Sequence, residues 1–585
     1  MSARTRTQNT SDGGFGTKLL SADQRARLEN RAAAANPVAA AAARARLRVD
    51  DNRQAAAGIR AERAAHGPRD TVRITATGAV GAGGGRWRSI ARPAEYRGTT
   101  AQVAGLWPWA VGAGTPLLGT PLGTHLHTGE PVCFDPTNWF SRGRILTAPS
   151  LFVLGLNGFG KSSLVRRLVL GGVAQNIKPL VLADVKPDYR STIEGVGGQV
   201  IDLGYGHGVL NPLDAGVMGQ ALSTLEAAGS VEATQSLRTE IRARQTNLIA
   251  GLIELVRGHR IDDFEDTLIS TALRILFRPK GHTDGPGQTP GRGFTMAAPP
   301  IFSDLADVIA AGGPDLQLDA AAADSEQYAA AIIPLRRSLR ALTQGNFGEV
   351  FNGHTTTPLD IDAVGVCVDV SHIAKNDKKL KAAVMLASWS AGFGAIEASN
   401  LLASVGLARQ QYFRVVMDEL WQVLGLGDFM VDRVDEVTRL QRGDAAELIM
   451  ISHTIKDLQA LGSDAAIGKA LGFLERARAK ILGALPREEI TRLDSIVPFT
   501  QMEAEMVTSW SAPQALTAEP IKRGAPPPLP PGVGMFLLKV GEDRSPGIPF
   551  HLVLTEVERA AGIHDTSSRY QRFGEHDDDD ERRSA

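Results

Sequence analysis

The run Gly155-Leu-Asn-Gly-Phe-Gly-Lys161-Ser162 fits the spacing GxxxxGK[ST], a pattern that holds phosphate. Its glycines let the backbone curl until successive N–H groups face an anion, and the lysine closing the loop reaches the β- and γ-phosphates of a nucleotide. The Ser162 hydroxyl is placed to ligate Mg²⁺. The binding set expected here is therefore Gly155, Asn157, Gly158, Phe159, Gly160, Lys161, Ser162 and Ser163, with ATP and Mg²⁺ as its ligands. A second set follows at Phe413-Arg-Val-Val-Met-Asp418-Glu419, an apolar run ending in two acids. At the carboxyl end of a strand in an open α/β sheet, Asp418 would hold the metal through water and Glu419 would orient and polarise the attacking water. A third apolar run ends in Ser452-His453-Thr454, where His453 is the candidate to sense the γ-phosphate, a satisfied structural histidine being the other reading. Arg439 and Arg442 precede that run. Arg442 is placed to serve a neighbouring subunit's nucleotide as an arginine finger, or else lies on a solvated helix surface.

These residues need strands to carry them. An apolar stretch ends at Leu154, the loop follows, a helix is expected over residues 161–170 and a second strand over 180–184. That β-α-β order predicts a parallel sheet flanked by helices. The apolar spacing then becomes helical over residues 219–338, as at Leu248, Leu252, Ile253 and Leu255, broken by a Gly/Pro loop at 279–293. Strand-like runs resume at 364–370, 413–417 and 448–452, so this stretch reads as a helical insertion. The separation of 257 positions from Lys161 to Asp418 supports one. Residues 525–532 form a Pro-rich spacer before a last strand pair at 535–540 and 550–554. The expected organisation is an extension (1–71, disordered or helical), a small β-rich module (72–141), an α/β nucleotide domain (142–218 and 339–570) interrupted by the insertion, and an acidic tail (571–585).

The bulk properties set bounds on function. A chain of 585 residues exceeds what one hydrophobic core usually supports, and 43% hydrophobic with 22% charged residues is ordinary for a folded protein. No run of 18 apolar residues occurs and the N-terminus lacks a basic segment followed by an apolar one, so neither a membrane span nor a signal peptide is expected. The expected location is the cytoplasm. A net charge of −1 provides no global field toward nucleic acid, so DNA contact is possible only through local patches and is not indicated. Residues 1–70 do carry 13 basic against 7 acidic side chains, which suits a solvated arm or one that touches an anionic surface. Cys133 and Cys367 are too few for a disulfide framework, and His125, His127 and Cys133 lack the fourth ligand that a zinc site needs.

Beyond the generic pattern, the chain resembles the motor ATPases of type IV secretion and conjugation systems, the TraC-like class within the HerA/FtsK superfamily. The resemblance rests on Gly119-Thr-Pro-Leu-Gly123, Thr128-Gly129, Asp184-Val-Lys-Pro-Asp-Tyr189, Gly197-Gly198, Asn211-Pro-Leu-Asp214, residues 345–353, Asp418-Glu-Leu-Trp421 and His564-Asp-Thr566, in that order over about residues 105–570. It implies a RecA-like P-loop NTPase fold of HerA/FtsK type, Lys161 and Ser162 on phosphate and Mg²⁺, Asp418 and Glu419 in hydrolysis, and a homo-hexameric ring. It also implies channel proteins at the inner face of the membrane as partners and a peripheral place on the cytoplasmic membrane. Two features depart from the family. Ser452-His453-Thr454 stands where a Gln is usual, and a short β-rich piece with an Ala/Arg arm replaces the large N-terminal domain. The function expected is an ATP-hydrolysing motor that energises such a secretion apparatus. A ring that pumps DNA is the alternative, and a non-hydrolysing nucleotide-dependent scaffold is disfavoured by the intact Asp418 and Glu419.

Overall fold

The computed structural model describes residues 19–33, 36–65, 73–75, 78–80, 85, 115–439, 445–455, 464–512, 530–541 and 544–564. By packing, the chain divides into two units, Met1–Leu106 and Trp107–Ala585. In the first, the helix Ala22–Ala32 begins at Ser21, whose hydroxyl accepts from the Gln24 N–H while the Gln24 side chain accepts from the Ser21 N–H. Two helix-end donors are satisfied reciprocally in this way. Arg25 ties that helix to the next, Pro37–Ala65, through Asp50 at 3.0 Å and Asp51 at 2.5 Å. Strands β1 (Arg73–Thr75) and β2 (Gly78–Val80) form an antiparallel hairpin.

The second unit is organised by an 11-stranded sheet. Its strands are β3 (Thr120–His125), β4 (Pro131–Phe134), β5 (Ser150–Leu154), β6 (Ile177–Asp184), β7 (Gln199–Asp202), β8 (Val366–Asp369), β9 (Tyr412–Met417), β10 (Ala446–Ser452), β11 (Ala479–Leu482), β12 (Met535–Val540) and β13 (Ile548–Leu552). The order is β4-β3-β13-β12-β11-β5-β10-β9-β6-β8-β7, parallel from β11 to β7 and antiparallel from β11 to β4. The central strands read as continuous apolar runs because both faces are covered. Successive residues alternate between two cores: Phe152, Leu154, Leu180, Leu182, Val415 and Met417 enter one, and Leu151, Val153, Val181, Val416, Ile449 and Ile451 the other. The first core is closed by the insertion helices and by the long helix Lys378–Ser404, the second by the helix Lys161–Val173.

β5 and β6 are parallel members of one sheet but not neighbours; β10 and β9, which come more than 200 residues later, lie between them. The insertion starts after β7 and ends before β8, two strands that pair in parallel with Gln199 opposite Val366. Its helices run from Gly216–Ala227 to Gly345–Phe351, past both expected bounds, and pack largely onto the sheet's own core. One boundary is corrected. The stretch expected as a module over residues 72–141 is not a single body, because β3 and β4 join the main sheet through β13, with Phe550 opposite His125 and Leu552 opposite Gly123. Leu122, Val132 and Phe134 are buried with Leu164 and Leu168 of the helix that follows the phosphate loop, which draws this hairpin into the nucleotide domain.

Candidate nucleotide site

The all-buried strand β5 ends at Leu154, and the loop from Gly155 to Gly160 turns the chain into the helix Lys161–Val173. Gly158 and Gly160 take φ of +84° and +96°, left-handed values at which a side chain would be strained. The loop is braced from outside: the Leu156 N–H donates to Ala484 O at 2.9 Å, the Gly483 N–H to Leu154 O at 2.7 Å and the Gly534 N–H to Phe159 O at 3.1 Å. Lys161 is buried, and its Nζ donates to Gly155 O at 2.5 Å and Leu156 O at 3.1 Å. Burial pulls its ammonium down to about 8, against the opposing charges of Asp418 and Glu419. Asn157 and Gly158 are exposed at the tip, while Phe159, Ser162 and Ser163 are half-buried.

Only β10 separates β5 from β9, and the register sets Leu154 opposite Ser452 and Met417 opposite Met450. The phosphate loop, His453 and the Asp418-Glu419 pair thus leave the sheet at one edge, the carboxyl edge where ligands of open α/β sheets bind. Asp418 accepts from the Glu419 N–H at 2.7 Å and from Tyr189 OH at 3.1 Å. Its carboxyl is pushed up to about 6, by burial first and by the neighbouring Glu419 charge second. Glu419, at φ +53°, is buried and surrounded by donors: Lys186 Nζ at 2.5 Å, Trp421 Nε1 at 2.5 Å and His453 Nε2 at 3.2 Å. Burial works to raise this carboxyl, but the hydrogen bonds and charges of His453 and Lys186 outweigh it and hold the group well below the usual carboxylate range.

A loop to which the motif reading assigned no chemistry supplies much of this shell. After β6, the Asp184 carboxylate accepts the N–H groups of Asp188 (3.1 Å), Tyr189 (2.7 Å) and Arg190 (3.2 Å), which fixes the turn. Burial pushes Asp184 up to about 8 despite those bonds. The turn delivers Lys186 to Glu419, Tyr189 to Asp418, and Asp188 to both Ser162 Oγ (3.2 Å) and the buried Arg166 (3.0 Å). The signal that would have found these residues is the sheet order, in which β6 lies beside β9. The motif Asp184-Val-Lys-Pro-Asp-Tyr189 was visible; its partners, some 230 residues away, were not.

His453 therefore reaches Glu419, and its other ring nitrogen, Nδ1, is buried without a partner among the described residues. Arg442 lies outside the described residues, and Arg439 ends the helix Asp428–Arg439. His564 is packed beside Glu558, which pairs with Arg167 of the phosphate-loop helix at 2.6 Å, while Asp565 and Thr566 are outside the described residues. Asn211 shapes the entry to the insertion, donating to Pro300 O at 2.9 Å and accepting from the Leu213 N–H at 3.1 Å. His125 Nδ1 accepts the N–H groups of His127 (3.2 Å) and Thr128 (3.1 Å), a turn-closing role. Among the described residues, one group of acids and histidine is close enough for a metal, Asp202, Asp369 and His372, and Arg190 already bridges its two carboxylates.

Sheet, loop and paired acids define a P-loop NTPase fold. Among solved structures, the chain is similar to VirB4 of Thermoanaerobacter pseudethanolicus, with a TM-score of 0.55 and 18% identity over 76% of this chain and 100% of that one. A structure of the plasmid coupling protein TrwB with ADP and Mg²⁺ matches with a TM-score of 0.40 and 11% identity over 76% of this chain and 97% of that one. In sequence, the chain is 24% identical over 420 residues to an uncharacterized protein of Bacillus anthracis, covering 68% of this chain and 62% of that relative, less than two thirds of its length. No protein-family model matches.

Proposed function

We propose that this chain is an ATP-hydrolysing motor of a conjugation-type (type IV) secretion apparatus, working as a ring of identical subunits at the inner face of the membrane. The observation that carries the reading is the convergence of Lys161, Ser162, Asp418 and Glu419 at the ends of β5 and β9 with only β10 between them. The VirB4-like fold and the ordered motifs support the secretion assignment. The membrane contact proposed is peripheral; among the described residues no helix is long and apolar enough to cross a membrane.

The residues present fit Mg-ATP. The backbone N–H groups of the loop and the start of its helix would hold the phosphates, and Lys161, held on two carbonyl oxygens, would exchange those bonds for phosphate oxygens. Ser162 Oγ and Asp418 offer the hard oxygen ligands that Mg²⁺ takes. Bound Mg²⁺ would neutralise charge on the phosphates. Glu419, fixed by Trp421 and His453, orients water and takes up its proton, and Arg442 serves the site of the adjoining subunit.

Lys161→Ala tests the site. It removes the buried cation, so steady-state phosphate release from ATP should fall to background while the thermal transition of the protein stays in place. Turnover at the wild-type rate would refute the assignment.

A further inference from the structure

Gln245 Oε1, Ser388 Oγ and Arg244 Nε are buried atoms without a hydrogen-bond partner among the described residues, and their side chains line one pocket. Buried polar atoms are satisfied as a rule, so three around one space call for something that satisfies them. Turning the Gln245 amide over does not remove its orphan. Its nitrogen donates to Leu213 O at 2.6 Å, and a carbonyl oxygen only accepts, so Oε1 stays an acceptor without a donor. Arg244 Nε is the reverse, a donor without an acceptor, while its Nη1 donates to Ser390 O at 3.1 Å and its Nη2 to Glu397.

The pocket has a volume of about 90 Å³ and lies where the insertion meets β7 and β8, at the end of the sheet. Its walls are largely apolar, with Ile201 of β7, Val368 of β8, and Ile241 and Leu248 of the helix Val231–Arg257 among them. Asn211, Pro212 and Asp214, from a motif that the nucleotide site does not use, line it too. Thr357, Pro358 and Ala391 of the lining are exposed, so a ligand can enter from solvent. The volume would take several waters at ~10–15 Å³ each, but a water needs about two to four polar partners and these walls offer few. An apolar body suits them better. The orphans ask that body for a group that both donates and accepts. Its charge should be zero: Glu397 already answers the Arg244 guanidinium, Asp214 disfavours an anion, and a cation would lose its hydration among apolar walls.

We propose that this pocket binds a small neutral molecule whose apolar body carries one carboxamide, its N–H donated to Gln245 and its oxygen accepting from Ser388 and Arg244. The site is separate from the nucleotide site, and the proposal does not depend on the hydrolytic reading.

The test titrates the full chain with isobutyramide and follows binding by saturation-transfer NMR. Isobutyrate and isobutylammonium, of similar shape but charged, are the controls. Isobutyramide should give a saturable signal with a Kd in roughly the millimolar range, as a ligand of so few atoms allows. Both charged analogues should bind at least about tenfold more weakly. Ser388→Ala removes one hydroxyl and nearly keeps the volume, so it should weaken binding about two- to tenfold. Ala391→Met changes an exposed helix position, which the fold tolerates, and should abolish binding by covering the opening. Without ligand, both variants should keep the wild-type thermal transition. Absence of a saturable signal overturns the proposal and leaves the pocket to water. Unaltered binding in either variant overturns it by placing the amide elsewhere, and tighter binding of a charged analogue overturns it by assigning a different class of ligand.

Discussion

The Ser162 hydroxyl donates to Asp188, and Asp188 also holds the buried Arg166, so the proposed metal ligand is pre-oriented by a carboxylate that the motif pattern does not include. A hydroxyl held in this way meets a cation in a set direction instead of sampling rotamers. Ser162→Ala should therefore raise the Mg²⁺ concentration needed for half-maximal binding of a fluorescent ATP analogue by about tenfold or more. Binding measured in EDTA should not change. An unaltered Mg²⁺ requirement would take Ser162 out of the metal shell. At this scale the residues in one short motif were legible, because the glycines, lysine and serine of residues 155–162 act on one loop. Tyr189 and Asp418, 229 residues apart, meet only because β6 and β9 are neighbours, and no spacing rule reports that adjacency.

Strands that cross the middle of the sheet were readable as apolar runs: β5, β9 and β10 stand where the runs ending at Leu154, Met417 and Ser452 put them. Short elements were harder, since β7 and β11 have four residues each and no room for a pattern. The helix Lys378–Ser404 escaped for the opposite reason. It is buried around nearly its whole circumference from Leu380 to Ser399, so no polar face marks its period. The central strands also conceal a buried ion pair, in which Arg414 Nε on β9 lies 2.7 Å from Glu447 Oε1 on β10. Arg414 further donates to Leu168 O of the phosphate-loop helix, and Thr137 donates to Glu447 through its N–H (3.2 Å) and hydroxyl (2.7 Å). Removing one partner strands the other charge without water. Arg414→Ala should cost about 3–5 kcal/mol in urea denaturation followed on the sheet transition, and Arg414→Met combined with Glu447→Leu should recover most of it. A loss below that of an ordinary surface substitution would show that the pair does not clamp β9, β10 and the helix together.

For the whole molecule, the gap between the motifs led to the expectation of an insertion but gave nothing of the attachment: the chain leaves after β7 and returns as its parallel neighbour β8, and the helices between them extend the sheet's own core. Assembly is proposed from the resemblance, and Arg442 gives it a consequence in solution. Mixed Glu419→Gln and Arg442→Ala subunits should regain turnover that neither has alone, because interfaces arise that pair an intact Glu419 with an intact neighbouring Arg442. Full activity of Arg442→Ala by itself would remove the finger assignment. Each chain is proposed to bind Mg-ATP at Lys161 and Ser162 and to hydrolyse it through Glu419. The most direct measurement sets wild type beside Glu419→Gln, comparing binding of a fluorescent ATP analogue with phosphate release over the same ATP concentrations. The predicted result is equal binding, with phosphate release slower by about 100-fold or more in Glu419→Gln. Phosphate release at the wild-type rate by that variant would contradict it.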